Sequence, residues 1–289
     1  MIFDERDGKP RAAFESPVAT TASFTAEAEP LVSCLCITRG KPQKLRRAIR
    51  CFAAQRHPHR ELIVVYEDDD PATESVVFES SSRLGDCIKP VRVGAHPKLT
   101  LGELRNIAVE AARGEYICQW DDDDWYHNER IVRQLLAIRN SARNACLLTN
   151  WLVFDELERK AYFSQFRLWE GSLFCRRDIV TPEVRYPSAI KHEDTVFTGL
   201  LVSRGHVFPL VDPSLYIYTV HKTNTWQREH FERIFSRSQL LGPAVSQQIE
   251  EILDEKHEIA VASTMLLDRR LLEQLNYFPR VSTQLLSST

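Results

Sequence analysis

Five short apolar runs, separated by stretches with helical periodicity, constrain this chain more than any other feature of its 289 residues. LVSCLCI (31–37), ELIVVY (61–66), CIKPVRV (87–93), EYICQW (115–120) and ACLLTNW (145–151) are rich in β-branched and aromatic residues. Near-continuous apolar runs of this length are expected of strands buried on both faces, and such strands are expected to be parallel. Between them, KLRRAIRCFAAQ sets Leu45, Ile49, Phe52 and Ala53 on one helical face. LTLGELRNIAVEAARG does the same with Leu101, Leu104, Ile107, Ala108 and Ala111, and NERIVRQLLAIRN with Ile131, Leu135 and Ile138. Thr100 and Glu103 have the spacing of a capping box, and Gly114 is expected to supply a left-handed helix stop. Repeated strand–helix alternation predicts the α/β class: a doubly wound, mostly parallel, Rossmann-like sheet whose ligand site lies at the carboxyl ends of its strands.

After residue 151 the rhythm changes to the shorter segments of a mixed extension: WLVFDE, KAYFSQF, LWEGSLFCRR, a helix near 194–203, HVFPLV and LYIYTVH. From Arg228 the pattern reads as helical to the end. The expected organisation is a flexible segment over 1–29, a main domain over 30–227 and a C-terminal helical extension over 228–289, with no firm boundary before the last. A net charge of −3 offers no general attraction to polyanions, which argues against a nucleic-acid partner. Seven scattered cysteines with no C-x-x-C pair read as buried free thiols of a reducing compartment. No apolar run reaches the ~18 residues of a transmembrane segment, and the charged start MIFDERDGKP lacks a secretory signal. A cytoplasmic protein is expected, with peripheral attachment at the inner face of the membrane as a variant.

The strongest chemical signal is WDDDDW (120–125), at the end of an apolar strand and just before a helix. Four adjacent carboxylates repel one another unless solvated or gathered around a cation. A solvated acidic loop is the ordinary meaning of such a run, but the two tryptophans and the strand end favour a ligand site. In an extended segment Asp121 and Asp123 would point the same way, with Asp122 and Asp124 pointing elsewhere. Such hard oxygen ligands suit Mn²⁺ or Mg²⁺, whose shell is completed by water and substrate phosphate. An EF-hand is disfavoured because Trp125 and Tyr126 stand where a ligand and a glycine are required.

EDDDP (67–71) follows the second strand in the same way. Its carboxylates could accept hydrogen bonds from ribose or base, or simply build a turn ahead of Pro71. The loop Thr38-Arg39-Gly40-Lys41 after the first strand offers backbone donors and two positive charges to a diphosphate. Neither a Walker A pattern nor G-x-G-x-x-G is present, so a P-loop NTPase and a common NAD enzyme are both excluded.

These residues together resemble glycosyltransferase family 2 enzymes of the GT-A fold. PLVSCLCITRGKPQKLRRAIRCFAAQRHPHRELIVVYEDDD is similar to that family's first strand, helix and second strand. LTLGELRNIAVEAARGEYICQWDDDDW is similar to its Arg-Asn helix and D-x-D strand end. The likeness spans roughly residues 30 to 230, making 30–227 a GT-A glycosyltransferase domain. It implies that Thr38, Arg39, Glu67 or Asp68, and Arg105 hold the nucleotide, and that Asp121, Asp122 and Asp123 face the metal–diphosphate, Asp121 and Asp123 as ligands. KHEDTVF resembles the family's Glu-Asp motif, which makes Asp194 the expected base and Glu193 its neighbour. TVHKTNTW resembles a late segment whose histidine, here His221, completes the metal shell. LWEGSLFCRR, with Trp169, Gly171 and Ser172, resembles the acceptor side. The sequence departs from the family at Tyr66-Glu67-Asp68-Asp69-Asp70, where an acidic-Gly-Ser pattern is usual, and at Gly40.

The implied reaction is a metal-dependent, inverting transfer of a sugar from a nucleoside-diphosphate sugar, a UDP-sugar foremost, to a hydroxyl of a glycan, lipid-linked or protein acceptor, in polysaccharide or glycoconjugate synthesis. Two competing functions share the fold: a nucleotidyltransferase or sugar-nucleotide pyrophosphorylase, for which RGKPQK is a poor first loop, and a non-catalytic nucleotide-sugar or glycan binder. Plainer roles are open for single residues. Arg105 could pair with Glu103 or the acidic loop, Glu193-Asp194 could cap a helix, His221 could be an ordinary structural histidine, and Trp120, Trp125, Trp169 and Trp226 could be core.

Overall fold

A computed structural model describes residues 29–267 and Leu271. The expected flexible segment, up to residue 28, and the end of the chain lie outside the described residues. The first half alternates as β1 (Val32–Ile37), α1 (Pro42–Ala53), β2 (Arg60–Glu67), α2 (Pro71–Leu84), β3 (Ile88–Val93), α3 (Leu101–Ala111) and β4 (Tyr116–Gln119). Next come β5 (Trp125–Tyr126), α4 (Arg130–Arg139), β6 (Ala145–Leu148), β7 (Leu152–Asp155), β8 (Lys160–Phe163), β9 (Phe174–Arg176), α5 (Glu193–Ser203), β10 (Val207–Leu210) and β11 (Tyr216–Val220). The described chain closes with α6 (Arg228–Phe235), β12 (Gln239–Leu240), α7 (Pro243–Leu253) and α8 (Ile259–Met265).

The larger sheet has seven strands in the order β10-β6-β9-β4-β1-β2-β3. β1 lies between β2 and β4, parallel to both, and β2 runs parallel to β3. The chain thus turns back at β1/β4, the switch point at which open α/β sheets form a crevice. Successive residues of β1 and β2 serve opposite cores. Cys34, Cys36, Leu62 and Val64 pack with α1 and α2, whereas Leu35, Ile63 and Val65 pack with α3 and α5. This two-sided burial is why the runs are apolar without alternation.

The structure corrects several expectations. β6 does not continue the parallel array beside β4. The chain first forms β7 and β8 of a second sheet, β12-β8-β7-β11-β5, and returns as β9, which inserts antiparallel between β4 and β6. α2 was not among the expected helices, because its buried side is thin: Thr73, Val76, Val77 and Ser80. Its start is nonetheless well marked, since Asp70 caps the Thr73 N–H at 3.1 Å and Pro71 opens the first turn. Thr100 and Glu103 do form the capping box of α3, but Gly114 is not a left-handed stop. A Cβ there would lie 2.7 Å from the Leu31 carbonyl oxygen, so the glycine permits the chain to pass close to β1. The tail is not helical throughout, because β12 pairs with β8. Cys87 is exposed, whereas the other six cysteines are buried and free.

Candidate active site

The acidic loop sits at the carboxyl end of β4, and its backbone is pinned from three directions. Tyr126 Oη donates to the Asp121 carbonyl at 3.0 Å, Thr219 Oγ1 to the Asp123 carbonyl at 2.6 Å, and the Arg47 guanidinium to that same carbonyl. The loop turns at Asp122 and Asp123 instead of running extended, which corrects the expected backbone, although Asp121 and Asp123 still line one cavity together. Each carboxylate has its own surroundings. Asp124 is buried and accepts from Tyr216 Oη and from the Thr219 N–H at 2.9 Å, and burial pushes its carboxyl well above the usual range. Asp121 is the most open and faces Arg105 at 3.3 Å.

Asp122 and Asp123 converge on a single cation. Lys41 Nζ lies 2.6 Å from Asp122 Oδ1 and 2.8 Å from Asp123 Oδ2. His221, just beyond β11, places Nε2 3.0 Å from the same Asp123 oxygen. The Thr223 N–H donates to Nδ1 at 3.2 Å, so in this arrangement the ring gives its Nε2 proton to Asp123. Burial and the Asp123 charge push Asp122 up to about 7 against the pull of Lys41. Burial would also raise Asp123, but Lys41 and His221 outweigh it and hold that carboxyl well below the usual range. Asp122 Oδ2 is buried and makes no well-formed hydrogen bond among the described residues, although the Thr38 hydroxyl acts with Lys41 to hold the Asp122 carboxyl down.

Among the described residues no three His, Cys, Asp or Glu side chains are gathered as a closed metal shell. The arrangement nonetheless fits a hard divalent ion bound through one or two carboxylates and completed by phosphate: two carboxylate oxygens meet at one point, and a third buried oxygen lacks a well-formed hydrogen bond.

Two cavities meet at this point. The smaller, of 320 Å³, is lined by Thr38, Arg39, Glu67 and Lys98, together with Asp122 and Lys41. Glu67 is buried and paired with both Arg39 and Lys98. The larger, of 380 Å³, is lined by Asp121, Asp123, Arg105, Glu193 and Asp194, together with Trp169, Gly171 and Trp226. Lys41 and Asp122 line both. Each volume falls in the range of ligand pockets.

The structure therefore brings the expected nucleotide residues Thr38, Arg39 and Glu67 into one cavity, and the acidic loop, Glu193, Asp194 and the Trp169-Gly171 segment into the other. Asp68 lines neither and accepts the Ala95 N–H at 2.9 Å. Ser172 is turned into the core, bonded to the Leu148 N–H at 2.8 Å and the Trp169 carbonyl at 2.6 Å. Arg105 is buried and pairs with Asp121 and, at 3.1 Å, with Glu193, not with Glu103. Glu193 and Asp194 stand in the first turn of α5, whose N-cap is His192 in a left-handed conformation. Burial raises the Glu193 carboxyl, with Arg105 opposing, while among the described residues the Asp194 carboxylate accepts only from its neighbour Thr195 and lines the cavity. Trp120 and Trp125 are core, whereas Trp226 lies at the cavity wall against His192 and His230. Sequence reasoning did not single out Lys98 or Glu170 as site residues: no local motif marks Lys98, whereas Glu170, which lines the larger cavity, stands inside the LWEGSLFCRR segment.

The sequence profile described as "Glycosyl transferase family 2" matches residues 33–192, more than half of the chain. An uncharacterized glycosyltransferase of Methanocaldococcus jannaschii is 23% identical over 227 residues, covering 72% of this chain and 77% of its own. Among solved structures, S. aureus TarS 1–349 in complex with UDP-GlcNAc superposes with a TM-score of 0.56 at 16% identity, covering 89% of this chain and 76% of that one. The mannosyltransferase PcManGT from Pyrobaculum calidifontis, in complex with GDP-Man and Mn²⁺, gives 0.55 at 15% identity, covering 86% and 74%. At these identities the two structures speak for the fold, which is GT-A, and the profile speaks for the family. With its β1/β4 crevice and the aspartate loop of β4 inside the matched span, the chain belongs to glycosyltransferase family 2.

Proposed function

We propose that this protein transfers a sugar from a nucleoside-diphosphate donor, a UDP-sugar foremost, to an acceptor hydroxyl with the help of a divalent cation. The observation that carries the reading is the meeting of two cavities at Asp122 and Lys41. A nucleoside in the smaller one must send its diphosphate across that boundary to present a sugar in the larger. The TarS structure with UDP-GlcNAc and the PcManGT structure with GDP-Man and Mn²⁺ share this fold, which supports both donor class and metal.

Glu67, held by Arg39 and Lys98, is placed to accept from ribose or base. Asp121 and Asp123 would serve as metal ligands, with Asp122, which shares Lys41 with Asp123, beside them. Ligation by His221 through Nε2 requires the ring proton to move to Nδ1 and the Thr223 N–H to be released. A bound divalent ion would act as a Lewis acid, offsetting the negative charge that grows on the departing diphosphate. Arg105 locks Glu193 to the acidic loop, which leaves Asp194 as the carboxylate free to act as base. It would take the acceptor hydroxyl proton as that oxygen bonds to the anomeric carbon and the bond to diphosphate breaks, a contribution of about 10²–10⁴-fold. Attack opposite the leaving group inverts the anomeric centre.

Release of nucleoside diphosphate from a panel of UDP- and GDP-sugars, with and without Mn²⁺, tests the proposal. Asp123→Ala should lose Mn²⁺-dependent turnover while keeping its fold, and unchanged turnover in that variant rejects the metal assignment. Retained donor affinity with no release in the unmodified protein would instead identify a binder.

A further inference from the structure

We propose that Lys41 is a built-in competitor for the metal position: its ammonium holds the Asp122–Asp123 pair until a divalent cation displaces it, and it then turns onto the diphosphate. The inference rests on the reading of the aspartates as a metal–diphosphate site and adds a residue that couples the two ligands.

Lys41 Nζ is within 2.8 Å of one oxygen from each of the two carboxylates. A small divalent ion binds such oxygens at about 2.0–2.1 Å, so an ion sharing both competes with the ammonium for the same two atoms. One positive charge also serves two buried carboxylates poorly, and Asp122 Oδ2 makes no well-formed hydrogen bond among the described residues. Lys41 lies just ahead of Pro42 and α1, and its side chain lines both cavities. An ammonium expelled on its flexible stem therefore enters the boundary that the diphosphate must cross. Metal alone has to overcome the ion pair, whereas nucleotide offers the displaced ammonium a new partner. Each ligand then strengthens the other, as reciprocal linkage requires.

Mn²⁺ titrations of the full chain, read by the EPR signal of the free ion with and without UDP, test this. UDP should tighten Mn²⁺ binding by about tenfold or more in the unmodified protein. Lys41→Met should bind Mn²⁺ alone about tenfold more tightly than the unmodified protein, and the factor by which UDP tightens Mn²⁺ binding should be smaller than in the unmodified protein. Lys41→Gln provides a second neutral variant, and in both variants Mn²⁺ should raise the Tm further than it does in the unmodified protein. Unchanged or weaker Mn²⁺ binding in the Lys41 variants overturns the competitor role alone, provided Asp123→Asn still abolishes binding to the unmodified protein. If Mn²⁺ with UDP does not bind the unmodified protein, or binds Asp123→Asn undiminished, the metal reading fails and this inference with it.

Discussion

At the scale of single residues, neighbouring aspartates of one loop are put to different uses by what surrounds them. Asp124 is walled in by Tyr216 and Thr219 and serves packing. Asp121 is joined through Arg105 to Glu193, and Asp122 and Asp123 share Lys41. The proposed base, Asp194, has no ion pair among the described residues, so Asp194→Asn should keep donor binding while transfer falls by about 10²–10⁴-fold. Isothermal titration with UDP beside a turnover assay separates the two effects, and full transfer in the variant excludes Asp194 as base. His127 gives a prediction of a different kind. It is buried, its Nε2 has no partner, and burial, reinforced by Arg133, lowers its pKa to about 4. A histidine whose pKa is depressed on folding contributes stability above its unfolded pKa of about 6.5, and that stability is lost as pH falls towards 4. Between pH 7 and pH 5 the loss should be on the order of 2 kcal/mol. His127→Gln should remove that part of the pH dependence, which denaturant unfolding at the two pH values would show.

At the scale of elements, the site depends on how closely α3 approaches the segment before α5. The Gly102 N–H donates to the Ala189 carbonyl at 3.0 Å, and a Cβ on Gly102 would stand 1.8 Å from the Pro187 carbonyl oxygen. Asn106 holds the same segment by bonding to the Tyr186 backbone at 2.8 and 3.2 Å. Gly102→Ala must therefore push apart the two elements that carry Arg105 and Glu193-Asp194. It should destabilise the fold by about 1–3 kcal/mol, in the range of overpacking, and lower turnover as well. Thermal unfolding and turnover of that variant would check both, and an unperturbed enzyme would show that this contact does not position the base.

At the scale of the whole molecule, the C-terminal extension is part of the same body as the GT-A domain. β12 pairs with β8, Ser246 Oγ accepts the Ala161 N–H at 3.1 Å, and Arg47 donates both to the Leu253 carbonyl at 3.3 Å and to the acidic loop. Val245, Ile249, Ile252, Ile259, Ala262 and Leu266 are buried in the core that also contains Trp120 and Trp125. At roughly 1.5–3 kcal/mol for each large aliphatic side chain, their loss would match the whole stability of an ordinary domain. A chain ending at Gln227 should be insoluble or unfolded, as expression and circular dichroism would reveal. A stable, folded 1–227 fragment would show the extension to be dispensable.

The α/β class, the strand runs and the capping box of α3 were legible in the sequence because apolar periodicity and caps act between near neighbours. Helix α2 was less visible, since its buried side is short and polar residues dominate its surface. The family signature likewise marked WDDDDW, Arg105, Glu193-Asp194 and His221 one by one. Which aspartate meets which partner depended on residues far apart in the chain: Lys41 reaches Asp122 across 81 positions, and Thr219 and His221 fix the loop from more than 90 away. The antiparallel insertion of β9 and the division of the crevice into two cavities at Lys41 have the same origin. A sequence specifies which groups are available, but the distance between charges, and with it their competition for one position, exists only once strands from opposite ends of the chain lie side by side.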